Sequence, residues 1–335
     1  MNRFIFTLCC LTVLSACKKH TDKPNLPAIS STPHPWQAVS SPVAGSNSDI
    51  YFASKDTGYI FGVSGTDYLL RSVDAGATWQ LRIQFSFHNL AYNCFYPLTN
   101  KVLFAARDSL YQSIDGGATW IKENNWSGTT ASQVTFVNRE TGFILTDDKI
   151  YASRNGGIAW SLQASLSGGY NHLVFPDSLH GFASGGGPVE QQATKYVASV
   201  GVLSKTIDGG RNWTKLDTGS WITNTQRFQQ INAMDFSDND HGLISVHDGT
   251  VEGTSDGGIH WQAISKILPG AVAQLKYDRL GNVYFIGSNK VYRSGDNGKT
   301  IGLEFTGPDE LLKMTITPDN QLFLVGRSGQ IYKRM

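Results

Sequence analysis

Two short alternating patterns recur along most of this 335-residue chain. In one, a turn carrying Gly, Asn or Asp leads into an apolar run: DTGYIFG at 56–62, TNKVLFA at 99–105, ETGFILT at 140–146, LHGFASG at 179–185, DHGLISV at 240–246, LGNVYFI at 280–286 and DNQLFLV at 319–325. In the other, a second run follows each of these: DYLLRS at 67–72, DSLYQS at 108–113, DKIYAS at 148–153, GVLSKT at 201–206, GTVEGT at 249–254, NKVYRS at 289–294 and GQIYKR at 329–334. Apolar and polar positions alternate with a period of two, and Gly, Asn and Asp punctuate the runs. These are the marks of short strands joined by tight turns. Beyond the N-terminal segment no stretch keeps a helical period long enough for a helix.

Six of the second runs end in one octapeptide. SVDAGATW occupies 72–79, SIDGGATW 113–120, SRNGGIAW 153–160, TIDGGRNW 206–213, TSDGGIHW 254–261 and SGDNGKTI 294–301. The box predicts a turn between the third and fourth strands of a unit. The short carboxylates of Asp74, Asp115, Asp208, Asp256 and Asp296 can accept bonds from nearby backbone N–H groups. Gly at the fifth position supplies a positive φ. Trp79, Trp120, Trp160, Trp213 and Trp261 then cover the hairpin with an apolar ring. Asn155 replaces Asp in the third copy and Ile301 replaces Trp in the sixth. Such drift suits a structural turn better than a set of equivalent ligand sites. Each box offers at most one carboxylate, which counts against a bound Ca²⁺ without closing that alternative, and neither metal nor cofactor is expected.

The boxes start at 72, 113, 153, 206, 254 and 294, at intervals of 41, 40, 53, 48 and 40 residues. Such a period marks a solenoid or a propeller. Seven units of four strands predict an all-β fold, a seven-bladed β-propeller of four-stranded antiparallel blades over residues 35–335. The seventh unit stops at Met335 before any fourth strand. HPWQAVS at 34–40 mirrors HWQAIS at 260–265, a fourth strand. Trp36–Val39 is therefore expected to close the last blade and remove an exposed edge.

The repeat resembles the Asp-box, or BNR, repeat shared by sialidases, sortilins, xyloglucanases and the photosystem II stability/assembly-factor-like propellers. Single-domain size, an exported chain and the recurring (D/E)-x-G-(Y/F) turn look most like the last of these. The resemblance implies that the boxes are scaffold, on the face opposite the usual ligand site. It also implies a role in assembling or stabilising a membrane complex, although nothing in the sequence itself implies photosynthesis.

Composition narrows the rest. The chain is 40% hydrophobic and only 16% charged, a globular balance. Arg3 precedes the apolar run FIFTLCCLTVL, which ends in LSAC at 14–17. Residues 1–16 read as a signal peptide, too short to span a bilayer stably. LSAC resembles a bacterial lipobox, which makes Cys17 the acylated first residue; the alternative is a plain secretory signal. Residues 17–34, rich in Pro, Ser, Thr and Lys, read as a flexible tether. Cleavage would leave 27 basic against 27 acidic side chains, with no footprint for nucleic acid. Cys94 would then be the one cysteine besides Cys17, so no disulfide within the propeller is expected, and its apolar setting suits the core.

If the boxes occupy one face, the loops joining strands two and three and those between blades occupy the other. Extra length falls there: 186–199 within blade four, and 217–230 between blades four and five. Trp126 and Trp221, the two tryptophans outside the repeat, fall in such loops, with Tyr170, Tyr196 and Phe228 in comparable segments. These aromatics are candidate contacts for a sugar or a peptide. Arg107, Arg227 and Arg327 are candidates for binding carboxylate. The reading that follows is a monomeric propeller in the cell envelope, lipid-anchored, binding an envelope protein or glycan without catalysis. The alternative is a carbohydrate-active hydrolase or lyase of the sialidase or xyloglucanase kind. For that, the sialidase (F/Y)RIP motif is absent, and the available carboxylates (Asp67, Asp108, Asp147, Asp148, Asp248) fall largely at repeated strand starts.

Overall fold

The computed structural model describes residues 35–85, 94–106, 108–123, 130–146, 148–166, 169–186, 190–192, 195–197, 201–216, 230–246, 249–265 and 272–335. Cys17, the signal segment and the whole tether lie outside them.

Seven four-stranded antiparallel sheets form a β-propeller. The first blade runs Ser46–Phe52, Gly58–Ser64, Thr66–Ser72 and Gln80–Phe85, each strand paired with the next. The first strands of later blades are Phe95–Pro97, Ala131–Phe136, Gly169–Val174, Ile231–Phe236, Gln274–Tyr277 and Leu311–Ile316. The seventh blade takes its outer strand from the other end of the chain. Trp36–Val39 pairs with Ile331–Arg334, Val39 opposite Ile331 and Trp36 opposite Arg334. The Met335 N–H donates to the Pro35 carbonyl at 2.8 Å. Trp36 packs on Phe305, ring centroids 5.4 Å apart.

Antiparallel order puts the turns between strands one and two on the same face as the boxes. Direct bonds join the two. The Ala75, Gly116, Gly156 and Gly257 N–H groups donate to the carbonyls of Asp56, Lys101, Glu140 and Asp240 at 2.9–3.0 Å.

Each box is a closed set of hydrogen bonds. Ser72 Oγ donates to Asp74 Oδ1 at 2.7 Å and accepts the Gly76 N–H at 2.9 Å. Asp74 Oδ1 accepts the Thr78 N–H, and Oδ2 accepts the Thr78 hydroxyl. Bonding to Thr78 holds the Asp74 carboxyl at about 2. The leading Ser or Thr is thus as integral as the Asp, a role the sequence reading did not assign. The departure at Asn155 is also accounted for. In five boxes the second carboxylate oxygen takes a side-chain donor from Thr78, Thr119, Asn212, His260 or Thr300. His260 bonds there through its Nδ1. Asn155 has no second acceptor oxygen, and Ala159 stands at the donor position, contributing only its N–H at 3.0 Å. The box needs positive φ at two successive residues, such as Gly156 (70°) and Gly157 (87°), where the sequence reading foresaw one.

The blades join through stacked rings. Phe104 lies on Phe136 (centroids 5.0 Å), Phe143 on Phe175 (4.5 Å), Phe182 on Phe236 (3.7 Å) and Phe323 on Phe52 (4.7 Å). Each pair links the second strand of one blade to the end of the first strand of the next. The box Trp meets the second ring edge-on: Trp160 on Phe136, Trp213 on Phe175, Trp261 on Phe236 and Trp79 on Phe52, at 79–85°. Edge-to-face contacts add to the apolar area that these rings bury.

Both glycines of the repeat make room for this stack. A Cβ on Gly142 would fall 2.5 Å from the Phe136 ring, and one on Gly157 2.2 Å from Phe104. The partners of Phe52, Phe136 and Phe236 in the sheet are Gly58, Gly142 and Gly242. Where the first strand ends in Pro97, Tyr277 or Ile316, the partner is Leu103, Val283 or Leu322. The box with Ile301 belongs to the Tyr277 blade, where Ile301 packs on a cluster with Tyr277.

Closure by the N-terminal strand has a direct test in two truncations. Deletion of residues 18–32 is expected to leave the melting temperature unchanged. Deletion of 18–40 is expected to lower it sharply, because it opens a sheet edge and removes Trp36 from its packing. Thermal melts of both compare the two, and equal values would contradict the closure.

Candidate functional site

The first strands of the blades line a central channel of about 860 Å³. Strand alternation sends every second side chain into it, and several are ionisable. Lys313 Nζ lies 3.6 Å from Asp49 Oδ1, a pair formed from opposite ends of the chain. The same ammonium lies 5.9 Å from the Tyr51 ring centroid. Burial pulls the Lys313 pKa down, and Asp49 opposes that fall. Lys276 Nζ lies 3.6 Å from Asp235 Oδ2, which also accepts the Tyr277 N–H at 2.8 Å. Burial raises the Asp235 pKa, against the attraction of Lys276.

His172 lies deep in the channel while keeping some accessible surface. Desolvation and the Lys313 charge lower its pKa to about 4, so the imidazole is neutral at neutral pH. Tyr51 and Tyr277 are raised, chiefly by burial, and stay as phenols. Two glutamines staple adjacent blades. Gln133 donates to the Leu173 carbonyl and accepts the Leu173 N–H, both at 2.8 Å. Gln274 does the same with Met314. The channel wall is polar, with opposite charges set against each other.

At the end away from the boxes, Arg327 Nε lies 2.8 Å from Glu310 Oε2, with both side chains largely open to solvent. Arg327 thus stands at the channel mouth. Tyr170 does not join it. The ring is buried, with its hydroxyl 2.9 Å from Ser204 Oγ, inside a cluster with Leu145 and Val202. Its place in the first strand of blade four turns it into the blade core, so it offers no contact to a ligand. Trp126, Trp221, Phe228, Arg107 and Arg227 lie outside the described residues, as does the side chain of Tyr196. The backbone around Tyr196 forms a small hairpin, Glu190–Gln192 paired with Lys195–Val197, apart from the blade sheets.

Of the carboxylates weighed for hydrolysis, Asp67 is buried, Asp108 accepts the Thr130 hydroxyl at 2.9 Å and Asp148 pairs with Lys149 at 2.8 Å. Asp147 and Asp248 lie outside the described residues. Among the described residues no group of three or more His, Cys, Asp or Glu side chains is arranged to hold a metal.

Connections on the two faces differ in regularity. On the box face, six of the seven first-to-second strand turns run from 52 to 58, 97 to 103, 136 to 142, 236 to 242, 277 to 283 and 316 to 322, all of one length, and the seventh, from 174 to 181, is one residue longer. On the open face, the between-blade passages run from 85 to 95, 165 to 169, 215 to 231 and 306 to 311. Variation in length is concentrated on the open face.

Fold and boxes together define a seven-bladed propeller whose outer strands are joined by one repeated turn. No protein-family model matches the chain. It is 25% identical over 202 residues to the photosystem II assembly lipoprotein Ycf48 of a Synechococcus strain. That match covers 59% of this chain and 56% of the relative, so it spans little more than half the relative's length. Among solved structures, YCF48 bound to a D1 peptide superposes with a TM-score of 0.69 at 19% identity, covering 92% of this chain and 99% of that one. YCF48 from Cyanidioschyzon merolae gives 0.65 at 19% identity, over 89% and 98% of the two chains. A GH74 xyloglucanase from Xanthomonas campestris gives 0.58 at 14% identity, over 87% of this chain and 59% of that one. At these identities the structural likeness shows the fold.

The buried channel pair has a measurable role. Lys313→Met leaves the Asp49 carboxylate in the channel wall without the Lys313 ammonium, and should cost about 3–5 kcal/mol near neutral pH. Adding Asp49→Asn should recover most of that cost. Urea unfolding of the single and double variants measures both, and a loss below about 1 kcal/mol for Lys313→Met would show that the pair is not coupled.

Proposed function

We propose that this chain is a non-catalytic binding propeller. It recognises a segment of a partner protein on the face opposite its boxes, as an assembly factor in the cell envelope. The observation that carries this reading is the division between the faces: uniform turns and self-satisfied boxes on one side, variable connections on the other. Loops of unequal length on a rigid scaffold are where binding residues concentrate. The two off-repeat tryptophans, Trp126 and Trp221, fall in these connections by sequence.

Similarity to Ycf48 supports a protein partner over a glycan. One superposed structure holds a peptide, and the matched relative is described as an assembly lipoprotein. An exported chain acylated at Cys17 would place the propeller outside the cytoplasm, tethered by residues 17–34. The partner of the relative is not carried over. The lysine-matched carboxylates of the channel support a binding role rather than the hydrolase reading, since general acid–base work needs a carboxylate pair left free to exchange protons.

Crosslinking of the full lipidated chain in its native envelope, followed by pull-down, identifies the partner, and a glycan array run in parallel tests the sugar alternative. Trp221→Ala is expected to weaken partner binding by about 2 kcal/mol or more while costing less stability than Trp120→Ala. If Trp221→Ala unfolds the chain as readily as Trp120→Ala while the folded fraction keeps full affinity, the open face is not the recognition surface.

A further inference from the structure

The box face carries a pattern that turn formation does not require. The aliphatic side chains at positions two and six of the boxes have no part in the internal hydrogen bonds, although at position six the Ala118 and Arg211 N–H groups donate to the box Asp and the Arg211 guanidinium to the Asp208 carbonyl. In the first five boxes, one of these two positions is a β-branched aliphatic residue: Val73, Ile114, Ile158, Ile207 and Ile259. Aliphatic residues stand at position two in boxes one, two and four, and at position six in boxes three and five. All five side chains are between 60% and 72% exposed. Leu179 and Leu280, on strand-one to strand-two turns of the same face, are 50% and 66% exposed. The other exposed large apolar side chains among the described residues are Leu81, Ile121, Leu162 and Leu303 on outer strands, and the C-terminal Met335. Scattered exposed aliphatics are ordinary, but one on nearly every turn of a single rim is not.

The charges on this rim fit the same picture. Among the twelve residues at positions two and six, the charged ones are Arg154, Arg211 and Lys299, and none is acidic. Each box acid is tied into its own turn, as Asp74 is to Ser72 and Thr78. Further in, the strand-one to strand-two turns carry Asp56, Glu140, Asp177, Asp238, Asp240, Asp278 and Asp319, beside Lys55, Lys101, Arg139 and Arg279. The face therefore has an aliphatic and basic rim without a strong net attraction for anions.

The chain also enters the fold at this face. Arg334 occupies the place in blade seven that a box's first residue takes in the other blades, and it pairs with Trp36. Pro35 thus lies where a box would return to its fourth strand, held by the Met335 N–H. Lys333 Nζ reaches the Ala75 carbonyl of the first box at 3.2 Å. Pro35, the first described residue, therefore stands at the rim that bears the aliphatic tips.

We propose that the box face rests on a lipid bilayer, with Val73, Ile114, Ile158, Ile207 and Ile259 entering the headgroup–acyl boundary. This rests on the reading of Cys17 as a membrane anchor. A short tether from the same face brings these tips to the surface at high local concentration, so weak individual insertions suffice. The open face is then turned away from the membrane, toward partners. Because the inner turns are acidic, the fitting surface is one of zwitterionic headgroups, and attachment depends little on salt.

The test supplies the anchor artificially, so it stands whether or not Cys17 is acylated in the cell. A mature chain carrying an N-terminal hexahistidine in place of Cys17 is held on nickel-chelating lipid in vesicles of brominated phosphatidylcholine. A bimane probe is placed at Ile207→Cys on the rim or at Thr66→Cys on the open face. The rim probe is expected to lose about half of its fluorescence and the Thr66 probe almost none. The difference should persist at ~0.5 M salt. Ile114→Asp with Ile259→Asp should abolish the rim quenching without changing the melting temperature, since both side chains are exposed. Equal quenching at the two sites, or none at either, overturns the proposal. So does unchanged rim quenching in the double Asp variant. Loss of a crosslinked protein by that variant, without any rim quenching, would assign the face to a protein instead.

Discussion

The architecture depends on an aromatic ring lying flat over a glycine. At four junctions a Phe ending the first strand of one blade stacks on the Phe of the blade before, and a box Trp meets it edge-on. The ring occupies the volume that a Cβ would fill on the facing strand, as at Gly142 beneath Phe136. The box glycine does the same from the other side, as Gly157 does against Phe104. Wedge-shaped contacts of this kind fix the angle between neighbouring blades, because a packed interior does not compress. Box hydrogen bonds hold the Trp in place, so turn chemistry and core packing are one device.

That device divides the molecule. The box face must keep its turn lengths and internal bonds, since each serves the stack. The opposite face bears no such constraint and carries the variable connections. Between them, the channel sets Lys313 against Asp49 and Lys276 against Asp235, and its glutamines staple adjacent first strands. These contacts tie neighbouring blades together along the channel, with Lys313 and Asp49 joining the last blade to the first, where no sheet bonding reaches.

Much of this was legible in the sequence because it repeats. The boxes and the blade count follow from the repeated octapeptide and its spacing, and the missing outer strand supplied by Trp36–Val39 from the match of HPWQAVS to HWQAIS. The tie between Phe and Gly was also present, in DTGY, ETGF, LHGF and DHGL, but its meaning needs the ring of the adjoining strand. The hydroxyl of Ser72 and its equivalents looked like ordinary strand ends. The channel charges were missed because Asp49, Asp235, Lys276 and Lys313 sit in alternating strands, where a charge reads as solvent-facing; only closure of the ring turns that side inward. Tyr170 was misplaced for the converse reason, since proximity to a loop said nothing of which way its strand faced.

A double-mutant cycle on Phe136 and Gly142 bears most directly on the ring-over-glycine constraint. Unfolding free energies are measured for Phe136→Leu, Gly142→Ala and the pair. If the glycine is there for the ring, Gly142→Ala should cost less when Phe136 has already been shortened, with a coupling of about 1 kcal/mol or more. Additive costs, within about 0.5 kcal/mol, would mean that the glycine serves the turn alone and that the stack does not dictate the repeat.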